Sequence, residues 1–167
     1  LGPELTQRSV RRVSIITDRT LMAAGVVEPI LQSLADADIE TYTFDGGQPE
    51  PSIELVETAA QQVDEFKPDA ILGLGGGSNM DVAKMAAAIV THGGSPRDYF
   101  GTEKVPGPVL TLVCVPTTAG TGSEATKNSV ISQHEPAFKK SLRSDRMVPK
   151  IALVDAELSC SLPPTTT

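Results

Sequence analysis

The chain has 167 residues, 40% of them hydrophobic, and a formal charge of −7. That length supports one domain with a real core, and the acidic balance argues against nucleic acid, whose phosphates would be repelled. No apolar run approaches a membrane span and no signal peptide precedes the first strand, so the expectation is a cytoplasmic protein. Cys114 and Cys160 are far apart in sequence. Two free thiols are expected, with a disulfide left open. The chain starts at Leu1 and stops at Pro163-Pro164-Thr165-Thr166-Thr167, which reads as a piece of a longer protein.

In chain order, residues 13–17 are β-branched and read as a short buried strand ending at Asp18. Residues 20–24 suit a helical turn. Residues 28–37 carry Ile30, Leu31, Leu34 and Ala35 at helical spacing. Residues 40–44 alternate as a second strand, and the turn residues of 45–51 read as a loop. Ser52 caps a helix whose inward face is Ile53, Val56, Ala59, Ala60, Val63 and Phe66, closed by Pro68. Residues 70–74 are a continuous apolar strand, followed by a glycine turn and an alanine-rich helix over 79–91. Residues 93–107 read as loop, with a short turn at 96–100. Residues 109–115 form another apolar strand, and 116–124 a loop of glycines and hydroxyls. Residues 128–132 and 138–142 pair as a hairpin, and 151–154 form a last strand ending at Asp155. Apolar strands alternating with helices imply a parallel sheet covered on both faces.

The most informative stretch runs from Leu72 to Lys84. Gly75, Gly76 and Gly77 end the apolar strand. Ser78 reads as the N-cap of the next helix, with Asp81 at the third helical position of a capping box. A strand, a glycine turn and a helix N-terminus together make an anion site, because free N–H groups point outward and no side chain blocks a phosphate. The alternative is a tight turn with no ligand, which rarely needs three glycines. Gly73, Gly75 and Ser78 give G-x-G-x-x-S, one glycine short of the usual dinucleotide fingerprint. The Walker pattern also fails, since Lys84 lies too far from the glycines.

Ligands of parallel sheets bind beyond the carboxyl ends of the strands. Asp18, the Gly75 turn and the Thr117 loop all sit at such ends and are expected to converge. A carboxylate at Asp18 can accept from both ribose hydroxyls of an adenosine and repels a 2′-phosphate; it can equally cap the segment from Arg19. Thr117, Thr118 and Thr121 can donate to a pyrophosphate or a second ribose, where Gly120 and Gly122 let the backbone come close. That loop can also be a solvated connection. Asp81 and Lys84 lie one helical turn apart, as in a surface ion pair. Lys139 and Lys140 read as solvated charges. His92 and His134 are far apart and read as surface or loop histidines, and no Cys–His pair has zinc spacing. Ser78 and Ser123 lack a nucleophile elbow.

Together these residues resemble the iron-containing (group III) alcohol dehydrogenases, relatives of glycerol dehydrogenase and dehydroquinate synthase. The pieces that carry the resemblance are Thr17-Asp18, Gly-Gly-Gly-Ser-Asn-Met-Asp-Val-Ala-Lys from Gly75 to Lys84, Pro-Thr-Thr-Ala-Gly-Thr-Gly-Ser-Glu from Pro116 to Glu124, and Pro149-Lys-Ile-Ala-Leu-Val-Asp155. They occur in the family's order and cover nearly the whole chain. The resemblance implies a Rossmann-like α/β fold over 1–167, the dinucleotide-binding domain of a two-domain enzyme whose helical second domain is absent. It implies NAD rather than NADP as cofactor. Asp18 would hold the adenosine ribose, and Gly75, Gly76, Gly77, Ser78 and Asp81 belong to the pyrophosphate motif. Thr117, Thr118 and Thr121 would line the pyrophosphate and nicotinamide side. Thr126, Asn128, Lys139 and Leu158 match further cofactor contacts. The family's Pro-Asn-Pro loop is here Pro49-Glu50-Pro51. Its metal ligands, one Asp and three His, would follow Thr167, so iron or zinc belongs to the longer parent. The implied activity is hydride transfer between an alcohol or aldehyde and NAD, in a homo-oligomer, with this fragment alone inactive. Alternatives are a metal-independent relative such as a maleylacetate reductase, a lyase of the dehydroquinate synthase type, and a cofactor-binding domain without catalysis.

Overall fold

The computed structural model describes residues 1–134 and 137–160. The expectation that 163–167 lead into another domain falls outside the described residues. Strands β1 (Arg12–Ile16), β2 (Glu40–Phe44), β3 (Ala70–Gly75), β5 (Thr111–Pro116) and β8 (Ile151–Ala152) form one sheet. Its order is β2-β1-β3-β5-β8, and every pairing in it is parallel. Every residue of β3 is buried, as expected of a central strand covered on both faces.

One face of the sheet is covered by α1 (Gly2–Gln7) and α3 (Glu28–Ala35), with Leu5, Ile30 and Leu34 packed on Val13, Ile15, Leu72 and Val113. The other face is covered by α4 (Ile53–Phe66) and α5 (Gly77–His92), with Val56, Val63, Met80 and Ala83 packed on Ile16, Ile71 and Leu112. α4 starts where Ser52 Oγ accepts from Leu55 N (3.1 Å), a cap worth about 1 kcal/mol. It ends at Lys67, whose φ of 53° leaves the helical region just before Pro68.

Gly73 is what lets α5 lie close. A Cβ there would stand 2.8 Å from the Ala83 Cβ and 3.0 Å from the Met80 backbone. The alanines of α5 serve the same contact, and the helix is buried along most of its length. Strands β6 (Asn128–His134) and β7 (Ala137–Arg143) form the expected antiparallel hairpin. A two-residue strand, β4 (Gly101–Thr102), runs parallel to β7 and makes the hairpin a second, three-stranded sheet. Neither α1 nor β4 is apparent from sequence pattern, because both are too short to show a period. The last strand is shorter than expected: it stops at Ala152, and Val154 is 70% exposed.

Both cysteines are free thiols, Cys114 buried and Cys160 exposed. Burial pushes the Cys114 pKa up to about 12, so it stays a neutral core side chain at ordinary pH.

Candidate functional site

The strand order reverses between β1 and β3. The chain leaves β1 for β2 on one side, then returns through α4 to β3 on the other. Such a switch point leaves a crevice at the carboxyl ends of the two strands. Here it is a cleft of about 760 Å³ lined by Asp18, Gly76, Gly77, Ser78, Thr117, Thr118 and Thr121 among others. Seven of the sequence-expected residues therefore meet in one place. Gly75 lies just beneath them as the last residue of β3, where its carbonyl accepts from Thr117 N (3.0 Å).

Each wall has a local cause. Asp18 follows β1 and begins helix α2 (Arg19–Ala23), with Oδ1 accepting from Leu21 N (3.0 Å). Its Oδ2 accepts from Asn79 Nδ2 (2.8 Å). The capping role is thus real, and the carboxylate still borders the cleft. Gly75 has φ of 139°, and a Cβ there would run into the Asn79 amide, so only glycine fits. Gly76 differs: its φ of −74° is ordinary, and a Cβ would meet only Thr118 Oγ1 at 3.5 Å and Cγ2 at 3.7 Å. Nothing among the described residues demands a glycine there. Thr118 borders the cleft, and its Oγ1 is buried with no hydrogen-bond partner among the described residues.

Helix α5 begins earlier than the sequence suggests. Gly76 is its N-cap, Ser78 sits in the first turn, and no side chain caps the end. The leading N–H groups therefore have no intrahelical partner and face the cleft end of β3. Asp81 closes no capping box. Its carboxylate accepts from Ser123 Oγ (2.9 Å) and Val130 N (3.0 Å) and does not line the cleft. Burial raises the Asp81 pKa, opposed by the Val130 and Ser123 bonds and by the Lys84 charge. The expected surface pair of Asp81 with Lys84 is also corrected: Lys84 is fully buried and donates to oxygens of Ser123, Thr126 and Asn128. Burial lowers its pKa, while Cys114, Asp81 and Glu124 act the other way.

The remaining sequence-expected residues stand apart from the cleft. Thr126 and Asn128 border a separate depression with Lys127 and Arg143. Lys139 pairs with Glu50 on the exposed surface (3.0 Å). Leu158 packs against the core on the α1 and α3 face. His92 donates from Nε2 to Gly107 O (3.2 Å). Sequence reasoning passed over Asn79, which is 3% exposed and ties Asp18 to Leu74 O (3.1 Å). It also passed over the loop after β2. Gly46 bridges Asp18, Gly47 N donates to Thr17 O (2.9 Å), and the segment from Asp45 to Pro49 forms the far wall. The signal available was that loop's two glycines. Among the described residues no group of three or more His, Cys, Asp or Glu could hold a metal ion.

The chain has relatives. A sulfoacetaldehyde reductase of Bilophila wadsworthia is 37% identical over 153 residues, 92% of this chain and 40% of that protein. The crystal structure of a 1,3-propanediol oxidoreductase superposes with a TM-score of 0.95 at 31% identity, covering 100% of this chain and 44% of that one. A sulfoacetaldehyde reductase of Bifidobacterium kashiwanohense, solved in complex with NAD+, gives a TM-score of 0.88 at 29% identity, covering 99% of this chain and 44% of that one. The chain thus spans less than half the length of these relatives. Residues 1–156 match the family described as iron-containing alcohol dehydrogenase, and this chain belongs to that family.

Proposed function

We propose that this chain is the NAD-binding half of a metal-dependent alcohol dehydrogenase that moves hydride between a small alcohol or aldehyde and NAD. The observation that carries the reading is the cleft at the β1/β3 switch point, where a free helix start, an unneeded glycine at 76 and the strand-end residues Asp18, Thr117 and Thr118 line one space. The chemistry of that lining suits a dinucleotide. Gly76, Gly77 and Ser78 offer N–H groups to the pyrophosphate. Thr118 donates its buried hydroxyl beside them. Asp18 accepts from the adenosine ribose while Asn79 fixes its carboxylate. NAD, when bound, supplies or accepts the hydride, and this chain's part is to orient it and to keep water from one wall. The NAD+ complex of the Bifidobacterium relative supports that choice of cofactor.

Substrate polarisation is assigned to the parent's other half, since the described residues here hold no metal set. The test is net NADH formation from NAD and short alcohols or diols, with iron or zinc supplied. The full-length protein accumulates NADH and the 167-residue chain alone does not. A full-length protein that binds NAD yet never accumulates NADH contradicts the oxidoreductase reading, because a lyase of this kind regenerates its cofactor. Metal-dependent turnover by the chain alone contradicts the assignment of the metal elsewhere.

A further inference from the structure

Lys84 lies two turns inside α5 and is fully buried. A buried ammonium is expensive unless it is well bonded, and an apolar side chain of similar size usually serves stability as well or better. Its Nζ donates to Ser123 O (2.6 Å), Ser123 Oγ (3.0 Å), Thr126 O (2.8 Å) and Asn128 O (2.9 Å). One turn back on the same helix, Asp81 accepts from Ser123 Oγ (2.9 Å) and Val130 N (3.0 Å). Ser129 Oγ donates to Asp81 O (2.9 Å). Two adjacent charged residues of α5 therefore grip one segment, 123–130, through backbone and hydroxyl groups.

That segment is the foot of the threonine loop. Ser123 N donates to Thr121 Oγ1 (3.3 Å), and Thr121 borders the cleft. Between Thr118 and Ser123 the loop contains Gly120 and Gly122 at φ of 99° and 63°. An added Cβ at either glycine would have no neighbour within 4 Å, so local packing does little to hold the loop. A glycine-containing loop with few contacts loses much conformational entropy when a ligand orders it.

We infer that Lys84, with Asp81, is a positioning residue that holds residues 118–123 in their binding arrangement before the cofactor arrives. The inference rests on the reading of the cleft as an NAD site. Its consequence is selective. The adenosine end of the cofactor depends on Asp18 and the glycine turn, which Lys84 does not touch. The second phosphate and the nicotinamide riboside depend on the threonine loop, which it does. Loss of the clamp makes binding itself order the loop, which reduces affinity.

The experiment compares NAD with AMP by calorimetry on the 167-residue chain, its Lys84→Met and Ser123→Ala variants, and Leu34→Ala as a control on the opposite face of the sheet. Lys84→Met should weaken NAD about 10-fold or more, the scale of lost charge-assisted hydrogen bonds, with AMP changed less than about 2-fold. Ser123→Ala removes one bond of the clamp and should shift the NAD/AMP ratio about 3-fold in the same direction. Leu34→Ala should lower the melting temperature and leave the ratio alone. A folded Lys84→Met chain with an unchanged ratio overturns the inference; should that variant fail to fold, an unchanged ratio in Ser123→Ala does so. A wild-type chain that binds neither ligand overturns the cleft reading itself, and the inference with it.

Discussion

Gly76→Val abolishes NAD binding and leaves the fold in place. Of the glycines around the turn, this one separates ligand from scaffold. Gly73 and Gly75 are fixed by the chain's own packing, against Ala83 and Asn79 respectively, so substituting them damages the turn. Gly76 has an ordinary extended backbone that a β-branched residue adopts readily. An added Cβ meets only Thr118 at van der Waals distance. The fold loses about 1 kcal/mol, since valine is a poorer N-cap than glycine. A bound pyrophosphate loses its approach to the backbone, which no rearrangement of the side chain restores. Calorimetry with NAD, beside a far-ultraviolet circular dichroism spectrum, checks both halves of the claim. Normal NAD binding by a variant with the wild-type spectrum places the phosphate elsewhere.

The second large effect is on cofactor choice. Asp18→Gly weakens NAD about 10-fold or more, because a hydrogen bond to a charged group is worth about 1.5–3 kcal/mol. It improves NADP by removing the charge that repels a 2′-phosphate. Arg19 supports that outcome: its side chain is 85% exposed at the cleft and lies 3.6 Å from Asp45. Asp18→Gly also removes the cap on Leu21 and the partner of Asn79. Asp18→Asn separates the two effects, since asparagine caps a helix as well as aspartate does. The NAD/NADP ratio should fall in both variants, and the stability loss should be larger in the glycine, since asparagine keeps the cap on Leu21 and gives up only the bond from Asn79. An unchanged ratio in both removes Asp18 from cofactor choice.

The sheet was legible because its central strands are buried on both faces and so read as unbroken apolar runs, β3 most clearly. Both ends of α4 were legible because Ser52 and Pro68 act locally. The start of α5 was not. Ser78 and Asp81 have the spacing of a capping box, but Asp81 turns instead to Ser123 and Val130, more than forty residues away. No local pattern reveals a partner at that distance, and Lys84 misled for the same reason. The cleft residues at strand ends were legible, because sheet topology brings those ends together whatever the loops do. Thr126, Asn128, Lys139 and Leu158 came from the family resemblance alone, and here they face other surroundings. The far wall from Asp45 to Pro49 was hidden in a segment with turn chemistry and no periodicity.

The most direct measurement of the central claim is a calorimetric titration of NAD, and separately NADP, into the 167-residue chain. The account predicts saturable binding of one NAD per chain, tighter than NADP. No saturable heat with NAD at millimolar concentration, from a chain with a native spectrum, would contradict it.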